Sequence, residues 1–91
     1  MDHIGQIEAM LAERQRTHGN FSIVAQVARE AAGVFCKVGY FERPQHAVAV
    51  QMILIKLARI AVGDADHVDS WLDIAGYAVL AAKSIPASPE E

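Results

Sequence analysis

Residues 44–63 read PQHAVAVQMILIKLARIAVG, and this segment is the key to the architecture. On a helical wheel, Gln51, Lys56 and Arg59 share a single arc, which leaves a much wider arc of Val, Ile, Leu, Met and Ala. The proline at its start suits the first turn of a helix, and the glycine at its end suits helix termination. We therefore expect a central helix over about 44–62, contacted by neighbouring helices on several sides.

Three further helices are expected around this one, because apolar residues recur at steps of three and four. Gly19 suits the left-handed position that ends the first helix, and Asn20 or Ser22 can cap the next. No strand-type alternation occurs, so the sequence predicts an all-α, four-helix bundle-like single domain over residues 1–83, followed by a flexible tail over 84–91. The predicted helices span about 3–17, 21–38, 44–62 and 68–83.

The composition predicts self-association. The chain has 91 residues, of which 53% are hydrophobic. A domain this small buries only about 60–65% of its unfolded-state surface, so part of the apolar surface is expected to face another copy in a dimer or higher oligomer. That excess is concentrated in the third helix and in the alanine-rich face of the fourth.

Charge and apolar runs argue against two classes of partner. The net charge of −3 disfavours nucleic acid, since phosphate binding needs a basic face. A membrane is not expected as a partner either, because the apolar run of the third helix is interrupted by Gln51, Lys56 and Arg59 and is short for a bilayer.

The first residues lack a basic and apolar leader pattern, and the single cysteine, Cys36, excludes an intramolecular disulfide. Its neighbours are apolar, so a buried thiol is expected rather than a reactive one. We therefore expect a cytoplasmic protein.

The residues best suited to bind a ligand or metal lie at the start of the fourth helix. Asp69 and Asp73 are four residues apart, so both carboxylates project from one helix face, with Tyr77 one turn further on. Like charges at this spacing repel, and a cation such as Mg²⁺, held through one or two carboxylates plus substrate phosphates, would neutralise them. Lys56 and Arg59 share a face of the preceding helix and are candidates for contacting the same phosphates.

A purely structural interpretation accounts for the same residues. Asp66 or Asp69 can be the N-cap of the fourth helix, and Lys56 and Arg59 can pair with the aspartates. His18 lies in a helix break beside Gly19, where an imidazole can reach a ligand or cap the first helix. The four histidines lack the paired spacing of a zinc site, so no zinc is expected.

At these residues the sequence resembles a family of small phage and prophage proteins of unknown function, which is itself similar to the MazG-like all-α nucleotide pyrophosphohydrolases. The resemblance covers about residues 7–82. It is carried by three segments: Glu13-Arg14 with Thr17-His18-Gly19-Asn20-Phe21, Met52-Ile53 with Lys56, Arg59-Ile60 and Gly63, and Asp69-Ser70-Trp71-Leu72-Asp73-Ile74-Ala75-Gly76-Tyr77-Ala78.

The resemblance implies a nucleotide-binding protein in which Mg²⁺ on facing carboxylates activates hydrolysis of a triphosphate to a monophosphate and pyrophosphate. The implied metal ligands are Asp69 and Asp73, and the implied substrate-binding residues are Lys56, Arg59, His18 and Tyr77. The third helix has no Asp or Glu, and Gln51 stands where an acid is expected, so a fuller metal site would need one of three glutamates on the first two helices: Glu8, Glu13 and Glu30. The alternative is a non-catalytic oligomer that inhibits or sequesters a host factor.

Overall fold

The structure, a computed structural model, describes residues 3–38 and 41–87, with side chains of 36–38 excepted. The described residues form four helices and no strand, so the fold is all-α and consistent with a helical bundle. Sequence-predicted helix bounds differ from the observed ones by at most one residue. Cys36 as a side chain and residues 88–91 of the expected tail lie outside the described residues. The helices are α1 (His3–His18), α2 (Phe21–Val38), α3 (Pro44–Val62) and α4 (Val68–Lys83).

Helix α3 is central, as its wide apolar arc predicts. It packs along α4 and α2, and it also contacts α1. The best-buried cluster joins Val24 and Ala28 of α2 to Ala58 of α3, with Ile55 and Val62 packed against it. The interior is therefore built mainly of small side chains from α2 and α3.

By length and composition alone, α3 passes as a candidate membrane span, contrary to the expectation from its polar interruptions. In the fold it lies between α2 and α4. Its Lys56 is engaged with a carboxylate of α4. Only 17% of this candidate span is buried inside the fold.

The helix ends follow the sequence signals only in part. Asn20 caps α2, because its Oδ1 accepts a hydrogen bond from the Ile23 backbone N–H at 3.3 Å. The expected aspartate cap of α4 is wrong: the N-cap is His67, which makes no side-chain capping bond. Asp64 Oδ1 instead accepts a hydrogen bond from the Asp66 backbone N–H at 2.9 Å, within the loop that precedes the helix.

A side-chain hydrogen bond to a backbone carbonyl braces each end of α4. The Trp71 indole Nε1 donates to the Ala65 carbonyl at 2.8 Å and so braces the loop before the helix. At the other end, Arg43 Nη1 donates to the Ser84 carbonyl at 2.5 Å, beside the last turn of α4. The N-terminus of α3 and the C-terminus of α4 are thereby held together.

Candidate functional site

The candidate site begins with a contact between two turns. Gly19, between α1 and α2, has φ +83°, the left-handed conformation expected from its position. A Cβ on Gly63 would lie 2.5 Å from the Gly19 nitrogen and 2.6 Å from the His18 carbonyl carbon. The backbones of the α1–α2 turn and the α3–α4 turn are thus in direct contact. The Asp64 N–H donates to the Thr17 carbonyl at 3.1 Å and links the same turns.

Beside these turns is an open cavity of about 810 Å³, formed by parts of all four helices. This volume is in the range of small-molecule sites, about 300–1,000 Å³. Of the six residues predicted to bind substrate or metal, five line the cavity and Tyr77 does not. The lining comprises Leu11, Arg14, Gln15, His18, Gly19, Phe21, Val24, Lys56, Arg59, His67, Asp69 and Asp73.

Lys56 and Asp73 form an ion pair across α3 and α4, with Nζ 2.9 Å from Oδ2. The Lys56 side chain is only 12% exposed. Its hydrogen bond and positive charge lower the pKa of Asp73 below the ordinary value. The predicted pairing of the two helices is therefore confirmed for these residues. A ligand phosphate would compete with Asp73 for the ammonium group.

Two further cations lining the cavity have no such partner. The ion pairs of the described residues involve neither Arg14 nor Arg59. With Lys56, these guanidinium groups give three positive charges against two aspartates when the histidines are neutral. The cavity has a positive balance in a chain whose net charge is −3. This balance suits an anionic ligand, and arginine in particular suits phosphate.

The rings of His18 and His67 contact each other in the cavity lining, beside the two turns. Their rings lie edge to face, with centroids 5.1 Å apart. His18 Nδ1 is buried without a hydrogen-bond partner. Burial is the main cause that lowers the pKa of His18, and the charges of Arg59 and other nearby groups lower it further. His18 thus presents one ring nitrogen that has no hydrogen-bond partner among the described residues.

The carboxylates do not form a complete metal site within one chain. Asp69 is 72% exposed, and its Oδ2 lies 3.9 Å from His67 Nε2. Over residues 3–38 and 41–87, no three His, Cys, Asp or Glu side chains are grouped to hold a metal ion. The arrangement fits Mg²⁺ only as an ion that arrives with phosphate oxygens, because Mg²⁺ commonly keeps waters and takes one or two carboxylates plus phosphate.

The glutamates that would complete a larger acidic cluster lie elsewhere. Glu13 pairs with Arg16 on the exposed side of α1, and Glu30 accepts from Gln26 Nε2 on α2 at 3.3 Å. Neither of them lines the cavity, and Glu8 does not line it either. The expectation that α1 and α2 supply the missing acids is not met by the geometry of a single chain.

Comparison with known proteins gives the family. A family model described as a domain of unknown function, DUF6378, matches residues 6–85. The chain belongs to the DUF6378 family. A search of curated proteins found no match, and a search of solved structures found none either. The match extends from α1 past the end of α4, so the whole cavity of this DUF6378 domain lies within the family region.

Seven of the twelve lining residues of the DUF6378 domain were not predicted from the sequence as ligand contacts, and three of them carry charge or an aromatic ring: Arg14, Phe21 and His67. Arg14 lies one helical turn before His18, so a signal for it existed in their four-residue spacing. His67 and Phe21 carried no such signal, because they enter the cavity through the docking of two turns.

Proposed function

We propose that this domain binds a nucleotide, with its phosphates on Arg14, Lys56 and Arg59. The observation that carries this proposal is a pair of guanidinium groups that form no ion pair among the described residues, beside the largely buried ammonium group of Lys56, all lining one cavity. Phosphate is the biological anion that such a set of donors recognises best. The cavity size fits a ligand of nucleotide dimensions.

The remaining lining supports a ligand with an apolar part as well as phosphates. Leu11, Phe21 and Val24 contribute apolar surface at the α1 and α2 side of the cavity. Phe21 is 76% exposed, so its ring is free to stack on a base. A nucleoside would therefore lie toward α2, and its phosphates toward α3.

Asp69 and Asp73 would hold Mg²⁺ bridged to the bound phosphates. The ion would neutralise phosphate charge, and the ammonium group of Lys56 would move from Asp73 to a phosphate oxygen. The MazG-like resemblance extends this to catalysis: water adds to a triphosphate, and the products are a nucleoside monophosphate and pyrophosphate. We include this pyrophosphohydrolase activity, and a phage origin of the protein, as part of the same proposal.

Calorimetric titration with nucleoside and deoxynucleoside triphosphates, with and without Mg²⁺, tests binding. Arg59→Met should weaken binding at least about 10-fold, because a charge-assisted hydrogen bond contributes about 1.5–3 kcal/mol. The matched control is Arg29→Met, which removes an arginine of α2 that does not line the cavity. An absence of binding, or equal losses in both variants, would contradict the proposal.

Catalysis is tested by pyrophosphate release from the same triphosphates. Asp73→Asn should abolish release if Mg²⁺ is held there, while binding without Mg²⁺ should persist. Binding without any release would leave a nucleotide-binding protein and reject only the hydrolytic part of the proposal.

The second candidate is a non-catalytic interaction protein that inhibits or sequesters a host factor. It is favoured by large apolar side chains that stay exposed on several helices, among them Trp71 and Leu80. Co-purification of one defined host protein in a stable ratio, with no nucleotide binding, would support this candidate over the first.

A further inference from the structure

The surface of the chain is too large for a compact monomer. Its accessible surface is 7044 Å², whereas a compact monomer of 9.9 kDa exposes about 5,200 Å². The radius of gyration is 16.3 Å, against about 12 Å expected for a compact domain of this length. The accessible surface of the chain is therefore about 1,800 Å² larger than that of a compact monomer of the same mass.

The interior is correspondingly small. Over the part of the chain that the structure describes, the buried hydrophobic residues are one leucine, one valine and three alanines, namely Leu54, Val24, Ala28, Ala49 and Ala58. Burial of a large aliphatic side chain contributes only about 1.5–3 kcal/mol, and each ordered residue costs about 1–2 kcal/mol of backbone entropy. A core of this size does not stabilise four helices by itself.

The outer face of α4 carries a continuous apolar stripe. Ser70, Ile74 and Tyr77 are the more buried side of this helix. The opposite side of α4, about 180° away at 100° per residue, carries four apolar residues at steps of four, three and four, which begin at Val68. All of them are exposed, Leu72 by 60%. The outer stripe of α4 consists of Val68, Leu72, Ala75 and Val79.

Helix α1 carries a second uncovered stripe, made of Ile4, Ile7 and Leu11. No residue of this helix is buried, and Ile4 is 69% exposed. A helix of 16 residues is marginal in water without tertiary packing. At 100° per residue, these three side chains share one arc with His18, so the α1 stripe continues the face that lines the cavity.

We propose that a second copy of this chain covers the outer stripe of α4 and the α1 stripe. The area favours a second copy: if two copies each covered the whole excess of about 1,800 Å², the interface would reach about 3,600 Å², and covering little more than half of it would still give the about 2,000 Å² at which obligate homodimers begin. Because the core is this small, the folded chain needs a partner at all times. A second copy meets this need, since it is made together with the first. The α1 stripe shares Leu11 with the proposed nucleotide cavity, but the inference concerns assembly, and its test requires no nucleotide.

The test measures the mass of the full chain by light scattering after size exclusion, with helix content followed by circular dichroism. The wild-type mass should be about twice 9.9 kDa. Ile7→Glu and Leu72→Glu place a carboxylate in each stripe, and each should raise the dissociation constant at least about 100-fold. Ala9→Glu adds the same charge to the exposed opposite side of α1 and should leave the dimer intact.

Every outcome decides the question. A dimer, or a higher oligomer, that loses mass or unfolds in both stripe variants and persists in Ala9→Glu supports the proposal. A fully helical wild-type monomer overturns it, as does an oligomer unaffected by both stripe variants. A wild-type monomer that folds only with a different protein also overturns it and assigns the stripes to that protein.

Discussion

Replacing Gly63 with alanine should destabilise the fold, because the two turns leave no room for the added methyl group. The new Cβ would lie 2.5 Å from the Gly19 nitrogen and 2.8 Å from the Arg59 carbonyl oxygen. To reach even 3.0 Å from the nitrogen, the two turns must separate by about 0.5 Å. Both neighbours are backbone, so no flexible side chain can move aside.

We expect Gly63→Ala to lower the free energy of unfolding by about 2–3 kcal/mol, the upper part of the range for overpacking. In a domain of this size, that is a decrease in melting temperature of about 10 °C or more.

Thermal and urea unfolding, followed by circular dichroism at one protein concentration, measure this effect. The matched control is Gly33→Ala in α2, where a Cβ would meet nothing within 4 Å. It should raise the free energy of unfolding by about 0.5–1 kcal/mol, because alanine is the better helix former. If Gly63→Ala melts at or above the wild-type temperature, the turn contact is not the constraint described above.

Three further predictions concern separate parts of the fold. Burial lowers the pKa of His18 below the ordinary 6.5, so the free energy of unfolding should be highest above that pH and should decrease as the pH falls through the folded-state pKa. An NMR titration of the ring checks this, and a normal pKa would refute it. Trp71→Phe removes the bond to the Ala65 carbonyl and should lower the urea midpoint by the equivalent of about 1 kcal/mol, whereas an unchanged midpoint would show that the bond is dispensable. Arg43→Met should cost about 1.5 kcal/mol by freeing the Ser84 carbonyl, and hydrogen exchange should quicken at the end of α4 first, which uniform exchange along the helix would contradict.

Helix positions were predictable from the sequence because they depend on local patterns. The apolar period of each segment, the cap at Asn20 and the left-handed glycine at residue 19 all act within about one helical turn. The cap of α4 was mistaken because three aspartates lie close together at its start, Asp64 and Asp66 in the loop and Asp69 in the first turn of the helix. Asp64 satisfies the loop backbone, and the helix begins after His67.

For the candidate site, the sequence predicted only which residues share a face of the same helix. Lys56 and Arg59 on α3, and Asp69 and Asp73 on α4, follow from spacing within their own helices. Tyr77 shares the face of Asp73 but lies beyond the cavity, because one further turn carries it about 6 Å along the helix axis.

The sequence by itself therefore determined four helices, their order and the chemistry that each face can offer, since hydrophobic period and capping are short-range properties. The tertiary structure alone decided which faces meet. The contact of Gly19 with Gly63 brings His18 to His67 and places Arg14 beside Lys56 and Arg59. It also showed that the stripes of α1 and α4 remain uncovered, because burial depends on the packing of whole helices and not on the residues within one.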